Sequence, residues 1–105
     1  MKPARFSIYT SMERNAAIDQ LRQAIMACGG WIENQTLFSN IAATINLEMP
    51  STALGEFQKD LAQRGLIAHV EGELPSGAAG DIRSTVSLTF SHDEPDMKRV
   101  VPPFG

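Results

Sequence analysis

Two histidines with acidic neighbours are the side chains of this sequence best suited to do chemistry. His92-Asp93-Glu94-Pro95-Asp96 sets one imidazole and three carboxylates within five positions, a donor set that a divalent cation accepts. The spacing matches neither a helix–loop–helix calcium loop nor a zinc signature. A strand end entering a proline-bearing turn gathers the same residues for solvation, so no metal and no cofactor are expected. His69 stands between Ala68 and Val70; in a strand it projects away from them, onto the side where Glu71 would orient it as a general base. No nucleophile in a recognisable setting accompanies it. Gly-x-Gly-x-x-Gly, the P-loop, Cys-x-x-Cys, His-Glu-x-x-His and Gly-x-Ser-x-Gly are all absent, which removes the enzyme classes that such motifs carry. A non-catalytic protein is the expectation.

Cys28 is the single cysteine of 105 residues. It can form no internal disulfide, and its place beside apolar helix positions reads as a small buried hydrophobe. The single tryptophan, Trp31, follows Gly29-Gly30 at a strand entrance and is expected to pack beneath the preceding helix; the other roles open to it are a ligand platform and an interface anchor. The net charge is -3 and the pI about 5.2, with the nine Lys and Arg scattered. Nucleic-acid affinity comes from clustered cations, so nucleic acid is not an expected partner. No apolar run spans a bilayer or forms a leader core, and a reducing, cytoplasmic setting is the default expectation.

The elements that must position these side chains follow from periodicity. Phe6, Ile8 and Thr10 alternate with Ser7, Tyr9 and Ser11 as in a half-buried strand. Ser11 is the expected N-cap of a helix from about Met12 to Cys28, striped by Ile18, Leu21, Ile25 and Cys28 and ended by Gly29-Gly30. Trp31 to Phe38 and Ile41 to Met49 read as a hairpin across Ser39-Asn40, with Ile41, Ala43, Ile45, Leu47 and Met49 toward the core. Pro50 breaks that strand, and Ser51 or Thr52 caps a second helix that buries Leu54, Phe57 and Leu61 and closes at Gly65. Leu66 to Leu74 reads as a strand and Pro75 to Gly80 as a turn-forming connection. Ile82, Val86, Leu88 and Phe90 then alternate with Arg83, Thr85, Ser87 and Thr89 in the cleanest half-buried strand of the chain.

This order predicts an α+β, ferredoxin-like βαββαβ sandwich: two helices on one face of a four- or five-stranded antiparallel sheet. Residues 1–92 form the single domain and 93–105 an extended tail, since Pro95, Pro102 and Pro103 exclude a helix or a central strand. The other sheet face is left uncovered, and Tyr9 with Trp31 or Ile32 makes it a surface on which another copy would pair. RNA-recognition domains share this topology but stack bases on aromatics of the central strands. Ile41-Ala42-Ala43-Thr44-Ile45 offers none.

The stretch Phe6 to Leu66 resembles an ACT domain, a small regulatory module, through the strand Phe6-Ser7-Ile8-Tyr9, the loop Glu13-Arg14-Asn15-Ala16, and Cys28-Gly29-Gly30-Trp31-Ile32 leading into the hairpin. The acidic-Arg pair of that family's ligand loop matches Glu13-Arg14, and Ala16 stands where its pattern has glycine. The resemblance implies a regulatory homodimer that binds a small polar metabolite, with Glu13, Arg14 and Asn15 lining the site. The alternative is a protein-interaction module that docks a partner on the open sheet face or through the tail Arg99 to Phe104.

Overall fold

A computed structural model describes residues 4–39, 41–72 and 80–91. The elements run β1 (Ala4–Thr10), α1 (Arg14–Ala27), β2 (Trp31–Ser39), β3 (Ala42–Pro50), a 3₁₀ turn (Ser51–Ala53), α2 (Leu54–Gln63), β4 (Ala68–Val70) and β5 (Asp81–Phe90). This is the α+β order expected from the sequence. The five strands form one sheet in the order β2-β3-β5-β1-β4.

The sheet is mixed, not antiparallel throughout as expected. β2 with β3, β3 with β5, and β1 with β4 are antiparallel, whereas β5 runs parallel to β1 from Ala4↔Ser84 to Thr10↔Phe90. The cause is where the last strand goes. β5 buries every second residue from Ile82 to Phe90, so its apolar face demands the middle of the sheet, where helices cover it. The strands that flank it there, β1 and β3, oppose each other, and any strand inserted between them must parallel one of the two.

One face carries the core. Phe6 and Ile8 of β1, Ile45 and Leu47 of β3, and Val86 and Leu88 of β5 meet Leu21 and Ile25 of α1 and Phe57 and Leu61 of α2. Arg64, at the end of α2, joins the two helices: its Nε donates to Asp60 at 2.9 Å and its Nη1 to Gln20 and Gln23 of α1 at 3.1 and 3.2 Å. Among the described residues no helix is long and apolar enough to cross a membrane.

Several boundaries differ from expectation for local reasons. Glu13, not Ser11, caps α1: its carboxylate accepts from the Asn15 and Ala16 amides at 2.8 and 3.1 Å. Ser11 falls short because the turn before the helix is held by Thr10, whose Oγ1 accepts from the Met12 amide at 3.0 Å. The strand expected over Leu66 to Leu74 is only Ala68–Val70 within the described part, since Leu66 turns into the core. Ile41, placed on the core face by alternation, is exposed at the end of the hairpin, and Cys28 is half-buried rather than buried.

Ser84 is a buried polar residue in this core. Among the described residues its hydroxyl has no hydrogen-bond partner, and it sits between Ala4 and Leu47 in register. An unsatisfied buried hydroxyl costs on the order of 1–3 kcal/mol. Ser84→Ala is therefore expected to leave stability unchanged or raise it by about 1 kcal/mol, read as the midpoint of a urea melt. A clear loss of stability would show that the hydroxyl is bonded in solution.

Candidate functional site

The uncovered face of the sheet collects the side chains that alternate away from the core. The pairings order them in rows across the strands. Trp31, Glu48 and Arg83 form one row, Asn34, Asn46, Thr85 and Arg5 the next, then Thr36, Thr44, Ser87, Ser7 and His69, and last Ser39, Ala42, Thr89 and Tyr9. Trp31 is therefore not beneath α1 as expected. It stands opposite Glu48 on this face, 46% exposed, because Gly30 holds the chain so close to the end of β3 that only the following residue, Ile32, turns inward.

Polar side chains bond to one another along the rows. The Thr85 hydroxyl donates to Asn46 Oδ1 at 2.9 Å, and Asn46 Nδ2 donates to Asn34 Oδ1 at 2.8 Å, a chain across β5, β3 and β2. Beside it Arg83 Nε lies 3.4 Å from Glu33 Oε1. A hydrogen bond to Glu33 holds the Glu48 carboxyl above its ordinary 4.5; burial and repulsion from Glu33 and Asp81 act in the same direction, and Arg83 opposes them. Glu33 reaches this row because the strand bulges between Ile32 and Asn34, which turns both Glu33 and Asn34 outward.

His69 faces Ser7 across β4 and β1, exposed and opposite to Ala68 and Val70 as expected. The Ser7 hydroxyl donates to Glu71 Oε2, and the Glu71 amide donates to the Arg5 carbonyl at 2.9 Å. A hydroxyl has one proton to give. The Ser7 hydroxyl is thus directed to Glu71 on the same open face as His69.

Glu13, Arg14 and Asn15 occupy a single turn at the start of α1, where the parallel strands β1 and β5 both end. The cap sets the chemistry of that turn. Bonds from the Asn15 and Ala16 amides hold the Glu13 carboxyl below its ordinary 4.5, with Arg14 adding a little. The same amides are thereby committed to Glu13. A group whose folded-state pKa is depressed stabilises above its unfolded pKa, and that contribution disappears as pH falls through the folded value. Glu13→Ala is accordingly expected to lower Tm at pH 7, with the difference from the parent closing as pH falls through and below 4.5; a difference that persists in acid would assign the loss to something other than the charged cap. The Cys28 thiol is pushed up from its ordinary 9.0, by burial first and then by Asp60 and Glu56, against a smaller opposite effect of Arg64.

Three exposed apolar side chains gather at the end of the hairpin, Leu37, Phe38 (67% exposed) and Ile41, while Met26 on α1 and Ile67 ahead of β4 stand exposed singly. β2 is exposed along nearly its whole length, on both faces. Neither the hairpin end nor the Glu33–Glu48–Arg83 row was anticipated from the sequence. Counting the hairpin register outward from Ser39-Asn40 does set Trp31 against Glu48, and that count was the available signal for the row. The cluster His92 to Asp96, the tail through Phe104 and the connection at 73–79 lie outside the described residues. Among the described residues no group of three or more His, Cys, Asp or Glu is placed to hold a metal.

The chain matches no protein-family model, no curated protein and no solved structure. The resemblance to the ACT domain is thus carried by the β-α-β-β-α-β order of the elements, to which this sheet adds β5 at its centre.

Proposed function

We propose that this chain is a non-catalytic interaction domain that works through the β2 side of its sheet. The observation that carries this reading is the exposure of Trp31, Leu37, Phe38 and Ile41 along one edge strand and its hairpin. Isolated exposed apolar residues are ordinary, but several large ones on a single element mark a docking surface. Aromatics are the side chains that interfaces favour. An edge strand also offers unpaired backbone N–H and C=O groups to an incoming strand. Enzymatic chemistry has less support, because the carboxylates and His69 lie on an open sheet surface from which water is not excluded.

The test is photocrosslinking in cells from the full chain, with the photoreactive residue at Phe38 or, on the outer side of α2, at Lys59. A discrete adduct from position 38 and none from position 59 is the expected result. Absence of a discrete adduct at 38, or equal yields at both positions, would overturn the reading.

The metabolite reading keeps one observation in its favour: Glu13, Arg14 and Asn15 share a turn at the carboxyl ends of two parallel strands, a place where α/β sheets bind ligands. Since Glu13 already occupies the helix amides, a ligand there would present its ammonium to Glu13 in preference to a carboxylate to the backbone. A thermal-shift panel of amino acids and amines tests it. A dose-dependent rise in Tm that Arg14→Ala abolishes supports the site, and no shift across the panel removes it.

A further inference from the structure

The two edges of the sheet are unequal. β4 is three residues long, while β2 spans nine, about 30 Å of strand. Proteins guard long edges with charge, Pro or bulges; Trp31–Ser39 contains no Lys, Arg or Pro and relies on its two bulges. Its only charge, Glu33, is paired with Arg83 of the same chain. Bulges flank a regular run of four residues, Asn34 to Leu37.

We propose that β2 pairs antiparallel with β2 of a second copy of this chain, joining two five-stranded sheets into one continuous sheet about a two-fold axis. This rests on the interaction reading above and names its partner. A two-fold axis perpendicular to the sheet allows only antiparallel pairing of like edges, and opposed residues must then share a face. With the axis at Thr36, Gln35 meets Leu37 of the second copy on the helix side; with the axis at Gln35, Asn34 meets Thr36 on the open face. Neither register sets charge against charge. Leu37 pairs with the buried Ala43 on the helix side of the sheet yet is 46% exposed, and the second copy covers it. Stacking of two open faces is the poorer solution, since it would bury Glu33, Glu48, Arg83 and the bonded Asn34–Asn46–Thr85 chain against another such surface and strip their water.

The test uses the full chain carrying Cys28→Ala and one new cysteine: Gln35→Cys, Thr36→Cys or, in the middle of the open face, Thr44→Cys. Opposed residues of an antiparallel pair lie about 4.5–5.5 Å apart at Cα, within disulfide reach. Mild oxidation is expected to give covalent dimer from Gln35→Cys or Thr36→Cys at least about 10-fold faster than from Thr44→Cys. Light scattering on the unmodified chain is expected to give twice the monomer mass, with Leu37→Lys weakening association by about 30-fold. Should Leu37→Lys fail to fold, the cysteine series decides alone. Fastest cross-linking at Thr44→Cys, or a monomer at every concentration, would overturn the proposal. In the monomer case a Phe38 adduct to a different protein leaves the interaction reading standing, and no adduct removes both.

Discussion

Phe57→Ala is expected to cost about 4 kcal/mol, a large share of the roughly 5–15 kcal/mol that holds a domain of this size together. Phe57 is fully buried on α2, and its ring meets Phe6 of β1 edge to face, with centroids 5.6 Å apart at 82°. Removing it opens a cavity where the second helix rests on the sheet, and surrounding side chains collapse only partly into such a space. Urea melts should show the midpoint falling steeply with an unchanged slope. A double-mutant cycle with Phe6→Leu should return a coupling of about 1 kcal/mol, the share owed to ring geometry rather than to buried area. A loss below about 1 kcal/mol for Phe57→Ala would mean that α2 docks by other contacts.

Gly30→Ala is the second large effect, and its mechanism is overlap. An added Cβ would lie 2.5 Å from the Glu48 carbonyl oxygen, 2.8 Å from Met49 Cβ and 3.2 Å from Ile25 Cγ2. Two of those neighbours are fixed by the sheet and cannot swing aside. The chain comes this close because the turn after α1 passes through Gly29 at φ +81° and Gly30 donates to the Ile25 carbonyl at 2.9 Å, so that β2 starts directly against β3. A loss of about 3 kcal/mol is expected, again from urea midpoints. Gly55→Ala supplies the contrast: it lies on the exposed side of α2, and its added Cβ meets nothing within 4 Å. That change should stabilise by about 0.5–1 kcal/mol through helix propensity and a less free unfolded chain. Equal effects at the two glycines would contradict the close approach at Gly30.

The sequence was most legible where one rule acted alone. The alternation in β3 and β5 located Ala43, Ile45, Leu47, Val86 and Leu88 on the buried face, and the spacing of Leu54, Phe57 and Leu61 located the buried side of α2. It was least legible in β2. Two bulges there each turn consecutive residues to one side, and a period-two reading has no means of seeing them. Glu33 therefore came to lie beside Arg83, and Phe38 at an exposed corner. Trp31 was misplaced because a large aromatic after two glycines looks like core, whereas its side is decided by how closely Gly30 approaches β3. The parallel pairing of β5 was hidden for a different reason. Alternation says that a strand is half-buried but not between which neighbours, and that choice depends on the directions of strands far apart in sequence. At the α1 turn the residues singled out beforehand do sit together, but their composition alone did not show that Glu13 spends its carboxylate on the helix amides.

The position of β5 bears on how the protein is made. The ribosome delivers residues 1–80 before the strand that separates β1 from β3, at about 5–20 residues per second. Until Asp81–Phe90 emerges, the N-terminal helix and hairpin have no central strand to join, and both inner edges of the future sheet stand unpaired. Every native pairing of β5 is distant in sequence, so the largest part of the slow search for long-range contacts waits until Asp81–Phe90 has been made. A nascent chain stalled before Asp81 should therefore be a substrate for chaperones and proteases, while addition of the β5 segment converts it to the folded form in one cooperative step.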